Sequence, residues 1–356
     1  MLFQHKKLIL LTLFTFGLAM TALVFLVFRH SKEPLQPIRY ENNGALNMPA
    51  VKKEYKQLIL SNGPREAHDL YVAEGNSLGS EEEHELAHAF GSALFQTMGI
   101  SALSYCGDEF VYGCYHEVMG EETSKEGFKA LSSLFVTCEK NELVILVSCE
   151  HGIGHGILSQ LGYTLPDLTK ALNLCFTYGI QETTKPHTSC QDGVFMEYNM
   201  RFMTPDSPNS KEAPPREFTA EQAFAPCNDV DEKFRPVCAY ELPLWWVSAG
   251  LSESTTTGAM WQQVAAYCLS MPDSLQSYCF KGAGYINATI NMQNAQFIAH
   301  DCNVMTANGA HSLDCILGAV RRYMLLNTQN NSAVCKKLGL AGNALSECSA
   351  YTLGAL

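Results

Sequence analysis

The chain has 356 residues, 47% of them hydrophobic and 17% charged, and a formal net charge of −12. That acidic balance, with no basic block after the first 32 residues, argues against nucleic acid and against an anionic lipid surface as partners. A chain this long and apolar can bury a substantial core, so any disulfides staple a core rather than replace one.

Residues 1–7 carry Lys6 and Lys7, and residues 8–28 run without a charge. At about 1.5 Å per residue this run reaches about 31 Å, enough for the hydrocarbon core of a membrane. A cleavable signal peptide would have an apolar run of about 7–15 residues and a small-x-small cleavage site, and neither is present. The expected organisation is a cytoplasmic tail at 1–7, a transmembrane signal anchor at 8–28, a stalk at 29–46 and an extracytoplasmic domain at 47–356. Charge orients the anchor poorly, because Lys6 and Lys7 are balanced by Arg29 and Lys32 on the other side.

Residues 47–79 read as helices and turns. Ser80 and Glu83 then form an S-x-x-E capping box, with Glu81 and Glu82 favourable in the first turn, so "SEEEHELAHAFGSALF" predicts a helix from about residue 81. At about 100° per residue His84 and His88 lie about 40° apart, with Leu86, Phe90 and Ala93 on the opposite, core-facing side. In "HGIGHGILSQL" His151 and His155 make the same pair, backed by Ile153 and Ile157.

From Cys106 onward fourteen cysteines fall into consecutive couples: Cys106/Cys114, Cys138/Cys149, Cys175/Cys190, Cys227/Cys238, Cys268/Cys279, Cys302/Cys315 and Cys335/Cys348. The count is even, short gaps alternate with long ones, and no C-x-x-C occurs. These features predict local disulfides, and so an oxidising, extracytoplasmic location with the N-terminus inside. The second cysteine of each couple opens a similar phrase, among them "CYHEVMG", "CEHGIGHGI" and "CQDGVFMEY". A glycine follows three residues later at Gly152, Gly193, Gly282 and Gly318. This self-similarity has the period of helical-hairpin repeats. Each unit reads as a helix ending near the first cysteine, a loop, and a helix starting near the second. Only "LVILVS" at 143–148 looks β-like. The predicted fold is all-α: disulfide-stapled helical-hairpin repeats, curved into a solenoid or superhelix, behind one N-terminal transmembrane helix. The Pro-rich stretch 203–217 reads as a solvated loop or a lid over a groove.

"CGDEFVYGCYHEVMG" resembles the repeat junction of secreted bacterial cysteine-rich proteins of the tetratricopeptide-like superfamily, which implies hairpins clipped by paired cysteines. The match is tight at Cys106/Cys114, and the other couples are more widely spaced. "CEHGIGHG" is similar to runs in bacterial membrane-anchored proteins to which no activity attaches.

His116 and His151 each sit two residues after a second cysteine, and Asp192 holds the same place in the next unit. In a stack of hairpins equivalent positions line one surface, so His84, His88, His116, His151 and His155 can converge. Imidazoles at i, i+4 suit a divalent transition metal such as zinc, copper or iron. Gly152, Gly154 and Gly156 each disfavour a helix by about 1 kcal/mol against alanine. The expected compensation is close packing against Gly91 and the alanines of the 81–97 helix.

"HELAHAFG" spells H-E-x-x-H-x-x-G and resembles the zincin metalloprotease signature. The resemblance implies zinc ligands at His84 and His88 and a water-activating base at Glu85. Leu94 stands where a metzincin has its third histidine, leaving Glu109 or Glu117 as a further ligand, and zincins place a β-sheet ahead of that helix. Glu197, one turn after Gly193, is a second candidate acid or base, weighed against a plain exposed carboxylate. His68, His187, His300 and His311 stand alone. Trp245, Trp246 and Trp261 fill a core, or the Trp pair lines a groove beside Pro243. Asn287 and Asn330 open sequons.

The expected function is a membrane-anchored, metal-dependent enzyme. Four or five imidazoles exceed what a hydrolytic zinc site uses, which points to a dinuclear or redox-active centre. The alternatives are a non-catalytic scaffold binding a peptide or envelope-protein partner on a concave face, and a zinc metallopeptidase acting through HELAH.

Overall fold

The structure, a computed structural model, describes residues 46–356 except 141–142, 180–188, 202, 204–213, 215, 252–256, 292–293, 307–308, 327–330 and 352–356. The expected tail, the 8–28 anchor and nearly all of the stalk lie outside the described residues, as do His187 and Asn330. No described helix is long and apolar enough to cross a membrane.

The described residues form an all-helical fold without β-strands. In chain order the helices are α1 (Met48–Asn62), α2 (Pro64–Gly75), α3 (Ser80–Met98), α4 (Glu109–Glu126), α5 (Leu131–Glu139), α6 (Leu143–Leu161), α7 (Leu165–Tyr178) and α8 (Ser189–Met200). They continue with α9 (Arg235–Trp246), α10 (Thr257–Leu269), α11 (Asp273–Ile290), α12 (Ala295–Met305), α13 (Ser312–Leu326), α14 (Asn331–Lys337) and α15 (Gly342–Ser349).

Two expected boundaries shift. The cap of α3 is Gly79, not Ser80: its backbone is extended, and its N–H donates to Glu82 Oε2 at 3.2 Å, so the box closes one residue earlier. The β-like run 143–148 is the start of α6. There Leu146, Val147 and Ser148 are all buried, and burial from several sides overrides the strand propensity of a branched apolar run.

All seven expected couples are disulfide-bonded, and no free cysteine remains. Five of the bonds join two α-helices. The second cysteine does not always open its helix: α6 and α11 begin six residues before Cys149 and Cys279.

A central row runs α1, α3, α4, α6, α8, α9, α11, α13, each helix packed on the one before it. Helices α5, α7, α10 and α12 pack against this row, and the row bends back so that α13 touches α4 and α11 touches α3. Val111, Val147 and Leu325, from α4, α6 and α13, meet in one buried cluster at that closure.

Glycine sets the spacing of the row. A Cβ on Gly152, Gly193, Gly282 or Gly318 would collide with the carbonyl oxygen of His116, His151, Tyr240 or Lys281, respectively. Each of these carbonyls belongs to the residue two after the second cysteine in the preceding central helix. The expected packing of the α6 glycines on Gly91 and α3 is corrected by the same contacts. Gly152 and Gly156 abut α4, Gly154 abuts the Cys190 carbonyl of α8, and Gly91 abuts the Cys114 carbonyl. Helix α4 therefore lies between α3 and α6, the helices that carry the two i, i+4 histidine pairs.

Trp245, Trp246 and Trp261 are wholly buried, and the first two donate from Nε1 to the carbonyls of Arg216 and Ala223. They fill the core and line no groove. Arg216, at the end of the Pro-rich stretch, lies 3.8 Å over the Trp245 ring. The sequon asparagine Asn287 is fully buried and donates to the Ile298 carbonyl, out of reach of glycosylation in the folded chain.

Candidate metal centre

Helices α3, α4 and α6 bring all five predicted histidines together. His116 of α4 is the hub, with ring centroids 5.6 Å from His84, 6.0 Å from His88, 4.7 Å from His151 and 6.5 Å from His155. His88 and His155, from opposite sides, are 6.1 Å apart. One nitrogen each from His84, His88 and His116 lie within 4.8 Å of one another, a spacing that can hold a metal ion.

The outward-facing nitrogens are anchored. His84 Nδ1 donates to the Phe110 carbonyl at 2.8 Å, since a carbonyl can only accept. His88 Nδ1 lies 2.9 Å from Glu117 Oε2, and His155 Nδ1 lies 2.9 Å from Glu197 Oε2. His151 Nδ1 is 3.6 Å from Asp192 Oδ2, which in turn is 3.5 Å from Arg321 Nη2. Carboxylates and carbonyls behind an imidazole fix its tautomer and turn the other nitrogen's lone pair forward, as in metal-binding histidines generally.

Those forward nitrogens face each other. Nε2 of His84 and His88 are 3.3 Å apart, and Nε2 of His151 and His155 are 3.0 Å apart. With Glu117 ionised, both nitrogens of the first pair present lone pairs, an arrangement that calls for a shared cation or proton between them. Burial holds His84, His116 and His155 well below the usual histidine range and lowers His88 to about 3, so a proton is the disfavoured occupant. His116 Nδ1 is buried without a hydrogen-bond partner. An orphaned imidazole nitrogen amid converging lone pairs fits a transition-metal ion.

The Phe110 carbonyl reaches His84 through an unusual backbone. Phe110, Val111 and Tyr112, at the start of α4, have φ of 50°, 61° and 59°. Three successive non-glycine residues in the left-handed region disfavour the fold by about 1–2 kcal/mol each. The run lies within the Cys106–Cys114 link and turns a main-chain acceptor toward the site.

Glu197 is wholly buried, which corrects the exposed-carboxylate expectation. It also accepts from Tyr163 OH at 2.7 Å and the Met203 N–H at 3.1 Å. Burial pushes it up to about 8 despite these donors. Glu85 is half-buried on α3 beside His84. Of the further zincin-type ligands, Glu117 stands behind His88, and Glu109 pairs instead with His68 Nε2 at 3.5 Å. His300 and His311 sit apart from the cluster, beside Asp301 and Asp314.

Beyond His151 the polar seam continues into α9. Burial works against charge on Asp192, but the neighbouring Glu241 and His151 hold it down at about 2. Burial and the neighbouring Asp192 push Glu241 well up, so the pair shares one proton, on Glu241. The partners Phe110 and Tyr163 were not among the predicted site residues. The sequence offers Glu117 as a zincin-type metal ligand, whereas it stands behind His88 as its hydrogen-bond partner, and nothing in the sequence marks a main-chain carbonyl.

Compared with known proteins, the chain matches no family model, no curated protein and no solved structure.

Proposed function

We propose that the protein is a metal-dependent enzyme whose centre is held by His84, His88, His116, His151 and His155. One observation carries this reading: two i, i+4 histidine pairs have their Nε2 atoms turned on each other, and in each pair the second histidine's Nδ1 is anchored to a buried carboxylate. The all-imidazole donor set favours zinc, copper or iron over magnesium or calcium. A bound ion would supply Lewis acidity or electron transfer. The chain's own part is to orient the imidazoles and exclude water, and five donors within one cluster favour a dinuclear or redox centre over a simple hydrolytic one. Glu197, which already accepts from three neighbours, acts by holding His155 in place rather than as a free base.

The seven disulfides support an extracytoplasmic location for the domain, and the 8–28 run supports an anchor behind it. The recurrent seating of a glycine on the preceding helix's carbonyl supports reading the fold as a curved helical-hairpin repeat.

The test is the metal content of protein secreted into an oxidising compartment. About one or two ions per chain are expected, lost in His88→Ala and His151→Ala. Wild-type protein that takes up no zinc, copper or iron, and is not stabilised by any of them, would overturn the reading.

A further inference from the structure

Beside the histidines, the central row buries two arginines of α13 with different circumstances. Arg321 has a counter-charge, Asp192 Oδ2 at 3.5 Å. Arg322 is 4% exposed, and no carboxylate lies within ion-pair distance of it among the described residues. Its Nη1 donates to Tyr285 OH at 3.2 Å, and its Nε is buried without a hydrogen-bond partner. An arginine cannot shed its charge by deprotonation, so a desolvated guanidinium left unpaired calls for an anion from outside the chain.

The surroundings of Arg322 tie it to the centre. Tyr285 packs on the cluster of Val111, Val147 and Leu325, which joins α13 to the histidine-bearing helices α4 and α6, and the charge of Arg322 is felt at His84 and at half-buried Glu83. The Tyr285 ring lies 6.1 Å from that of Tyr240, which in turn lies 5.5 Å from the Arg321 guanidinium. Along this seam Tyr240 OH, Glu241 Oε2 and Asp192 Oδ1 are also buried without partners, so several polar groups here lack their complements.

We propose that Arg322 and Tyr285 form the docking point for a single carboxylate of a small organic acid that binds beside the histidine cluster. The charge count sets the class. Arg321 is matched by Asp192 and Glu241 is held protonated, so one guanidinium charge remains with only half-buried Glu83 in its field, and a monoanion completes that count where a dianion such as phosphate would overshoot it. Geometry agrees: with Nη1 taken by Tyr285, the unpartnered donor lies on the side edge of the guanidinium, whose planar fork matches a carboxylate. The inference adds a ligand class to the proposed metal centre but does not depend on the metal.

The experiment titrates acetate, and in parallel phosphate and chloride, at constant ionic strength against the folded domain, both stripped of metal and loaded with it. Thermal midpoint and carbon-13 line width of labelled acetate are the readouts. Acetate should bind saturably in both states and more tightly than phosphate. Tyr285→Phe should weaken it about tenfold, and Arg322→Gln should remove it from the measurable range. Phosphate preferred over acetate, no saturable acetate binding, or unchanged binding in folded Tyr285→Phe would each overturn the proposal. Acetate binding that persists in protein unable to hold metal would leave it standing while the metal reading fails.

Discussion

His88 and Glu117 are 29 residues apart in the chain, yet Nδ1 of one lies 2.9 Å from Oε2 of the other, both buried. His155 and Glu197 repeat the arrangement at 2.9 Å on the next pair of central helices. A carboxylate behind the imidazole makes it a better and better-aimed donor. Glu117→Gln and Glu197→Gln should therefore each lower metal affinity by about 10–100-fold while the domain stays folded. Competition with a chromophoric chelator measures this, and an unchanged affinity in both variants would show that these carboxylates serve packing alone.

Gly154→Ala separates helix propensity from packing. Propensity alone predicts a gain of about 1 kcal/mol. The added methyl would instead collide with the Cys190 carbonyl of α8. The expected result is a net loss of about 1–3 kcal/mol in denaturant unfolding, and a stabilised variant would contradict the packing described for α6 and α8.

The disulfides should be separable. Removing Cys175–Cys190 as a double alanine variant opens a link of 15 residues, which corresponds to about 3 kcal/mol. The remaining six bonds should stay paired, and a thiol count on denatured, unreduced variant protein should read zero.

Away from the metal centre, the His68–Glu109 pair predicts a pH window. Pairing with the Glu109 carboxylate raises His68 above its ordinary 6.5 against the opposing effect of burial, and the same pairing lowers Glu109 below its ordinary 4.5. The His68 contribution is whole below 6.5 and is lost as pH rises through the raised folded value. The Glu109 contribution is present above 4.5 and is lost as pH falls through its lowered value. The pair stabilises most between those limits. The stability difference between wild type and His68→Gln should peak there, and a difference flat from pH 4 to 8 would rule the pair out as a contributor.

Much of this was legible because the signals are periodic. The cysteine couples, the i, i+4 histidines and the shared place of His116, His151 and Asp192 after a second cysteine all repeat, and repetition survives folding into equivalent helices. What escaped depends on long-range contacts or on main-chain geometry. Phe110, Val111 and Tyr112 carry no residue type that announces a left-handed turn. Glu197 looked like a surface carboxylate because nothing local reveals that α8 presses it against His155. Leu143 to Ser148 looked β-like because a branched apolar run reads alike in a strand and in a helix buried on several sides.

The carbonyls of His116 and His151 are the sockets into which Gly152 and Gly193 seat. The distance between neighbouring imidazoles in the row is thereby inherited from the thickness of two main chains, not from the volumes of side chains. Such a centre is insulated from drift in the surrounding core: substitutions among leucines and phenylalanines can soften the domain while the gauge of the metal site holds. A single methyl group at position 152 or 193 would dilate that gauge directly.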